Sequence, residues 1–161
     1  MEMARELGKI LAENQIGLVY GGATIGVMGA LADSVLLHKG SVIGVIPQTL
    51  VDYEIAHKNL TELYIVHSMH ERKKLMYDRS DFFLTLPGGM GTLDEMFEIL
   101  TWAQLQLHSK PCMIFNFNQF YDSLLAHLER SVSEGFLKSE HFELLRVVKS
   151  LDEIQNHLKS L

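Results

Sequence analysis

Short apolar runs rich in β-branched residues alternate along this chain with longer stretches whose apolar residues recur every third or fourth position. The first pattern predicts strands and the second predicts helices. The strands read as Gly17 to Tyr20, Val42 to Ile46, Glu62 to Val66, Asp81 to Leu86, Cys112 to Asn116 and a short Arg146 to Lys149. The helices read as Glu2 to Asn14, Gly26 to His38, Met69 to Ser80, Thr92 to Leu107, Phe120 to Glu134 and Leu151 to Lys159. Such alternation implies α/β architecture: a Rossmann-like open parallel sheet with helices on both faces, spanning residues 1–161 as a single domain. Three strands end in glycine or proline where a turn begins: Tyr20 before Gly21-Gly22, Ile46 before Pro47, and Leu86 before Pro87-Gly88. Ligands of open α/β sheets gather outside the carboxyl ends of the strands, so a site is to be sought at these turns.

Composition narrows the picture. A chain of 161 residues has the length of one domain and buries roughly two thirds of its unfolded surface. The net charge of −6 speaks against nucleic-acid binding, which draws on an excess of Lys and Arg. Small anions remain possible ligands, because a few donors in one cleft suffice. The longest apolar stretches are strand-sized, short of the ~20 residues that span a bilayer, so no membrane partner is expected. Residues Met1 to Asn14 lack the features of a signal peptide, and the single Cys112 excludes an intrachain disulfide. A cytoplasmic location is the expectation.

Three segments carry candidate chemistry. Leu86-Pro87-Gly88-Gly89-Met90-Gly91-Thr92-Leu93-Asp94-Glu95 reads as a strand ending in a glycine-rich turn that runs into a helix. Free N–H groups and the positive end of the helix dipole favour a phosphate there, with Thr92 as the expected N-cap. It is neither a Walker A loop nor Gly-x-Gly-x-x-Gly. The alternative is a tight turn whose acids merely complement the dipole. Gly21-Gly22-Ala23-Thr24-Ile25-Gly26 is a second such turn, structural or ligand-binding. Met69-His70-Glu71-Arg72-Lys73-Lys74 opens a helix; it reads either as a solvated charged face or as a place where Arg72 meets an anion. The eight histidines show no zinc-site spacing, and Cys112 reads as an inert core residue.

Together, Pro87-Gly88-Gly89-Met90-Gly91-Thr92-Leu93-Asp94-Glu95 and Met69-His70-Glu71-Arg72-Lys73 resemble the paired motifs P-G-G-x-G-T-x-x-E and M-x-x-R-K of the Lonely Guy family. Its members are cytokinin riboside 5′-monophosphate phosphoribohydrolases, long mislabelled lysine decarboxylases. The resemblance runs over nearly the whole chain, through Gly21-Gly22, Ile46-Pro47, Thr101-Trp102-Ala103-Gln104 and Lys110-Pro111. It implies catalytic roles for Arg72 and Glu95, and substrate contacts for Gly22, Glu54, Lys73, Gly89, Met90, Gly91, Thr92, Leu93, Asp94 and Thr101. It further implies a homodimer with active sites beside the interface. Family members usually begin with one more strand, central to the sheet and ending in a C-G-S type turn. This chain starts at Met1 inside the expected first helix, which predicts a gap between the strands at 17–20 and 81–86.

Hydrolysis of an N-glycosidic bond passes through an oxocarbenium-like state, which needs an anion beside the sugar and a base for water. Glu95 is the expected source of both, and no metal or cofactor is required. A nucleotide carrier without turnover is the rival reading, since fold does not fix function. Nothing marks a pyridoxal phosphate lysine.

Overall fold

The central strands of this protein are its most apolar segments, and they are the ones buried along their whole length. In the computed structural model, which describes residues 1–51 and 56–159, the first half of the chain runs α1 (Glu2–Glu13), β1 (Leu18–Tyr20), α2 (Gly26–Leu37), β2 (Val42–Pro47), β3 (Glu62–Val66) and α3 (Met69–Asp78). The second half runs β4 (Phe83–Thr85), α4 (Met90–Gln104), β5 (Cys112–Phe115), α5 (Asp122–Ser133), the one-turn α6 (Ser139–Phe142), β6 (Leu145–Val148) and α7 (Leu151–Leu158). Every strand expected from the sequence is present, within three residues at each end.

By packing, the chain divides into two compact units, Met1–Ser80 with the residues from His157 onward, and Asp81–Asn156. In the first, β1, β2 and β3 form a parallel sheet in that order, with Tyr20 opposite Gly44 and Val45 opposite Tyr64. α1 packs on α2, and Leu7, Leu11, Val35, Val42, Val45 and Ile46 are buried. In the second, β4, β5 and β6 form a parallel sheet, with Phe83 opposite Cys112 and Ile114 opposite Val147. Its core gathers Met96 of α4, Ile114 of β5, Tyr121 and Leu125 at α5, and Leu145 of β6. The parallel α/β architecture is as expected. β1 lies at one edge of the first sheet and β4 at one edge of the second.

Helix boundaries differ from expectation for a common reason. α1, α2, α4 and α5 each end on a left-handed residue, at Gln15, Lys39, Gln106 and Gly135. In each case the next N–H reaches back to the carbonyl five residues earlier, as Leu107 does to Trp102 and Ile16 to Leu11. This is the Schellman stop. α4 accordingly ends at Gln104 rather than Leu107, and Leu105 and Leu107 belong to its terminating turn.

Candidate active site

The first unit's site is built around Arg72. Ser68 caps α3, its hydroxyl accepting from the Glu71 N–H at 3.1 Å, while the Glu71 carboxylate accepts from the His67 N–H at 2.7 Å. Reciprocal capping of this kind fixes where a helix starts, and Arg72 is the next residue. The only buried residue of α3 is this arginine, at 6% exposure. Its Nη2 donates to the Gly21 carbonyl at 3.4 Å and its Nη1 approaches the Met69 sulfur at 3.8 Å. The Nη2 end of the guanidinium comes so close to Gly21 that any Cβ there would overlap it. Its Nε–H is buried and has no hydrogen-bond partner among the described residues.

A guanidinium keeps its charge at any ordinary pH. Among the described residues no carboxylate forms an ion pair with it. Leaving a charged donor dry and unpaired costs several kcal/mol in the free protein, an expense that an incoming anion would offset. Lys73, beside it, is half-buried, and Gly22, at φ +81°, completes the turn that Arg72 packs against. Glu54 lies outside the described residues.

In the second unit the glycine-rich segment opens α4, with a correction to its cap. Gly89 is the N-cap and the helix begins at Met90, so Thr92 is the third helical residue. The first helical bond runs from Leu93 N–H to the Gly89 carbonyl. The backbone N–H groups of Met90, Gly91 and Thr92 are therefore unsatisfied within the helix, and Gly89, Met90 and Gly91 are exposed. The Thr92 side chain folds back over Gly88, filling the space a Cβ there would need, so it is turned away from the capping position. The result is an open ring of donors at a positive helix end, suited to a phosphate.

Leu93 and Glu95 are half-buried and Asp94 is exposed. Glu95 follows Gly91 by four positions and Thr92 by three, which puts these residues on one face of α4. Thr101 lies about two to three turns farther along the helix, where its hydroxyl donates to the Phe97 carbonyl at 2.7 Å. The structure thus brings Gly89 through Glu95 together and leaves Thr101 apart from the glycine turn.

Two residues that position this turn carry no sequence motif. The Tyr121 hydroxyl donates to the Leu86 carbonyl at 2.7 Å, just before Pro87-Gly88, and burial pushes its phenol pKa up. Buried Asn116 accepts from the Tyr121 N–H at 2.8 Å and donates to Asp122 at 2.7 Å. Asn116-x5-Asp122 has no recognisable spacing, so only the three-dimensional arrangement identifies these two. Among the described residues no group of three or more His, Cys, Asp or Glu is placed to hold a metal ion. None of the described helices is long and apolar enough to cross a membrane.

A family model described as possible lysine decarboxylase matches residues 28–158. A cytokinin riboside 5′-monophosphate phosphoribohydrolase from Rhodococcoides fascians is 47% identical over 137 residues, covering 84% of this chain and 69% of its own length. A probable enzyme of the same name from Oryza sativa subsp. japonica is 46% identical over 143 residues, 89% of this chain but only 63% of its own length. One from Arabidopsis thaliana is 41% identical over 158 residues, 98% of this chain and 74% of its own. Among solved structures, a molybdenum cofactor carrier protein from Chlamydomonas reinhardtii superposes with a TM-score of 0.72, and a molybdenum cofactor binding protein from Rippkaea orientalis with 0.70. Each is 20% identical and covers 99% of this chain and 85% of the solved one, a likeness of fold. With the family model spanning most of its length and relatives above 40% identity on the same segments, the chain belongs to the Lonely Guy family, whose model carries the lysine decarboxylase description.

Proposed function

We propose that this protein hydrolyses the N-glycosidic bond of a nucleoside 5′-monophosphate, AMP or an N6-substituted adenine nucleotide of cytokinin type, giving free base and ribose 5-phosphate. The observation that carries the reading is Arg72, a buried guanidinium whose Nε–H has no partner among the described residues, in a chain 47% identical to a phosphoribohydrolase. Structural proteins bury apolar residues on such a helix; a dry, unpaired cation is suited to an anionic ligand.

In this reading the phosphate rests on the N–H groups at the start of α4, from Gly89 to Thr92. Glu95 stabilises the positive sugar and activates water, as carboxylates do in glycosidases. Arg72 grips the substrate through charge-assisted hydrogen bonds. Gly22, Glu54, Lys73, Leu93, Asp94 and Thr101 supply the remaining contacts, with Thr101 outside the phosphate cradle. The half-buried position of Glu95, on the helix face of Gly91 and Thr92, supports its assignment to the ribose.

We further infer a cytoplasmic homodimer. The apolar surface of α4 supports the dimer, and the single thiol, Cys112, buried and free, suits a reducing compartment. The test is to incubate the protein with AMP and with its N6-isopentenyl analogue and to follow free base and ribose 5-phosphate by chromatography. Release of both products from either nucleotide is expected. Tight binding of both nucleotides without release would overturn hydrolysis and assign the chain to the carrier class.

A further inference from the structure

His57 is buried at 5% exposure, and both its ring nitrogens and its backbone N–H are engaged. Its Nδ1 accepts from the Asn59 N–H at 3.2 Å, so the ring proton sits on Nε2, which donates to the Asp33 carboxylate at 3.0 Å. Its backbone N–H donates to the Gly22 carbonyl at 2.9 Å, and Ala56, just before it, bridges antiparallel to Ala23. The segment at 56–57 is therefore laid against the Gly21-Gly22-Ala23 turn and fastened to α2 through Asp33.

That turn has no side chains of its own to hold it. Gly22 adopts φ +81°, with Ile46 and Leu63 close to where a Cβ would sit. Its two carbonyls are consecutive: the Gly21 oxygen takes the Arg72 guanidinium and the Gly22 oxygen takes His57. The two carbonyls belong to successive peptide planes that meet at the Gly22 Cα, so displacing the Gly22 carbonyl disturbs the turn that also presents the Gly21 carbonyl. Among the described residues the Gly21 carbonyl is the one oxygen that accepts from Arg72. Fastening the Gly22 carbonyl therefore helps to hold the turn against which the guanidinium rests.

We infer that His57, held in place by Asp33, is a positioning residue for Arg72 and acts through the Gly21-Gly22 turn. For its kinetic consequences the inference rests on the hydrolase reading; its structural consequences stand apart from activity. His57→Ala and Asp33→Ala both unfasten the turn. His57→Gln keeps an amide N–H directed at Asp33 and preserves it.

The first measurement is the ¹⁵N-edited NMR signal of the Arg72 Nε–H in the full chain, identified by its disappearance in Arg72→Lys. The signal should shift or broaden in His57→Ala and Asp33→Ala and return close to its original position in His57→Gln. An unchanged signal in Asp33→Ala, whose side chain is 71% exposed and whose loss leaves the core intact, overturns the inference even if His57→Ala fails to fold. The second measurement is kinetic, with AMP. A displaced guanidinium lowers kcat roughly ten- to hundredfold, and in an Arg72→Lys background Asp33→Ala should add almost nothing. Independent, multiplying losses would show that the pair acts elsewhere. If no nucleotide is turned over at all, the hydrolase reading falls while the NMR result still decides this one.

Discussion

Arg72 sets the terms at the scale of the residue, because its side chain is unsuited to the place it occupies. A buried guanidinium with no ion pair among the described residues is costly in the free protein, and an apolar chain of similar length would pack there at lower cost. Arg72→Met is therefore expected to raise the unfolding free energy by about 1 kcal/mol or more while abolishing nucleotide hydrolysis, the trade-off between stability and activity seen at strained sites. Denaturant titration beside an activity assay checks both halves, and a destabilised variant would mean that Arg72 holds the fold together. Glu95→Gln should keep fold and nucleotide affinity and lose ~100-fold or more in turnover, since only the charge is removed; unchanged turnover would dismiss Glu95 from the chemistry. Cys112 makes a different kind of statement. Burial pushes its thiol up to about 11 from an ordinary value of 9.0. A folded-state pKa above the unfolded one means that the native state holds its proton longer. This contribution to stability is complete below pH 9 and is lost between pH 9 and about 11, by up to roughly 2 to 3 kcal/mol. Buried Tyr20 and Tyr121, also pushed upward, act in the same direction above pH 10. Cys112→Ala should therefore remove the part of the decline between pH 9 and 10, as unfolding titrations across that range would reveal.

For whole elements, what matters is how helices start and stop. Gln15, Lys39 and Gln106 hold left-handed conformations that suit glycine better, at a cost of ~1 kcal/mol or more each. Gln15 is exposed, so Gln15→Gly should stabilise the protein by about 0.5 to 1 kcal/mol; a lowered melting temperature would show that its side chain has a partner worth more than the strain. The same residues explain what the sequence did not disclose. Strands were legible because their apolar runs are buried on both faces, as β2 and β5 are almost throughout. Helix ends were not, because three of the four left-handed stops carry Gln or Lys in place of the glycine that signals a stop. The start of α4 was misplaced by two residues for a related reason. Thr92 has the chemistry of a cap, but its side chain is turned onto Gly88, and the unremarkable Gly89 does the capping. The S-x-x-E pattern at Ser68 to Glu71 is a capping-box signal that the reading of the sequence passed over, and it fixes the helix start next to Arg72. Tyr121, Asn116 and the His57 to Asp33 pair left no local trace, since their partners lie far from motif positions.

At the scale of the whole molecule, α4 poses the question of assembly. Its fifteen residues include Leu93, Met96, Phe97, Ile99, Leu100 and Trp102, yet Met96 is the only one buried. Phe97 is 38% exposed, and Leu105 and Leu107, in the turn that ends the helix, are 61% and 65% exposed. Beside them Phe97, Leu100, Leu128, Leu137 and Phe142, with the polar Thr101, Gln104 and His141, line a hollow. Scattered apolar residues on a surface mean little, but a contiguous patch of this kind calls for a partner. A second copy related by a twofold axis is the commonest solution, because one patch then covers its own image. If the dimer is obligate, its contact should bury more than roughly 2,000 Å² in total, with Trp102 and Phe97 inside it. Light scattering at micromolar concentration should give twice the mass of the chain, and Phe97→Glu, which sets like charges against each other across the axis, should give the monomer. A wild-type chain that is monomeric and active at that concentration would refute the dimer and leave the apolar face of α4 to a different partner.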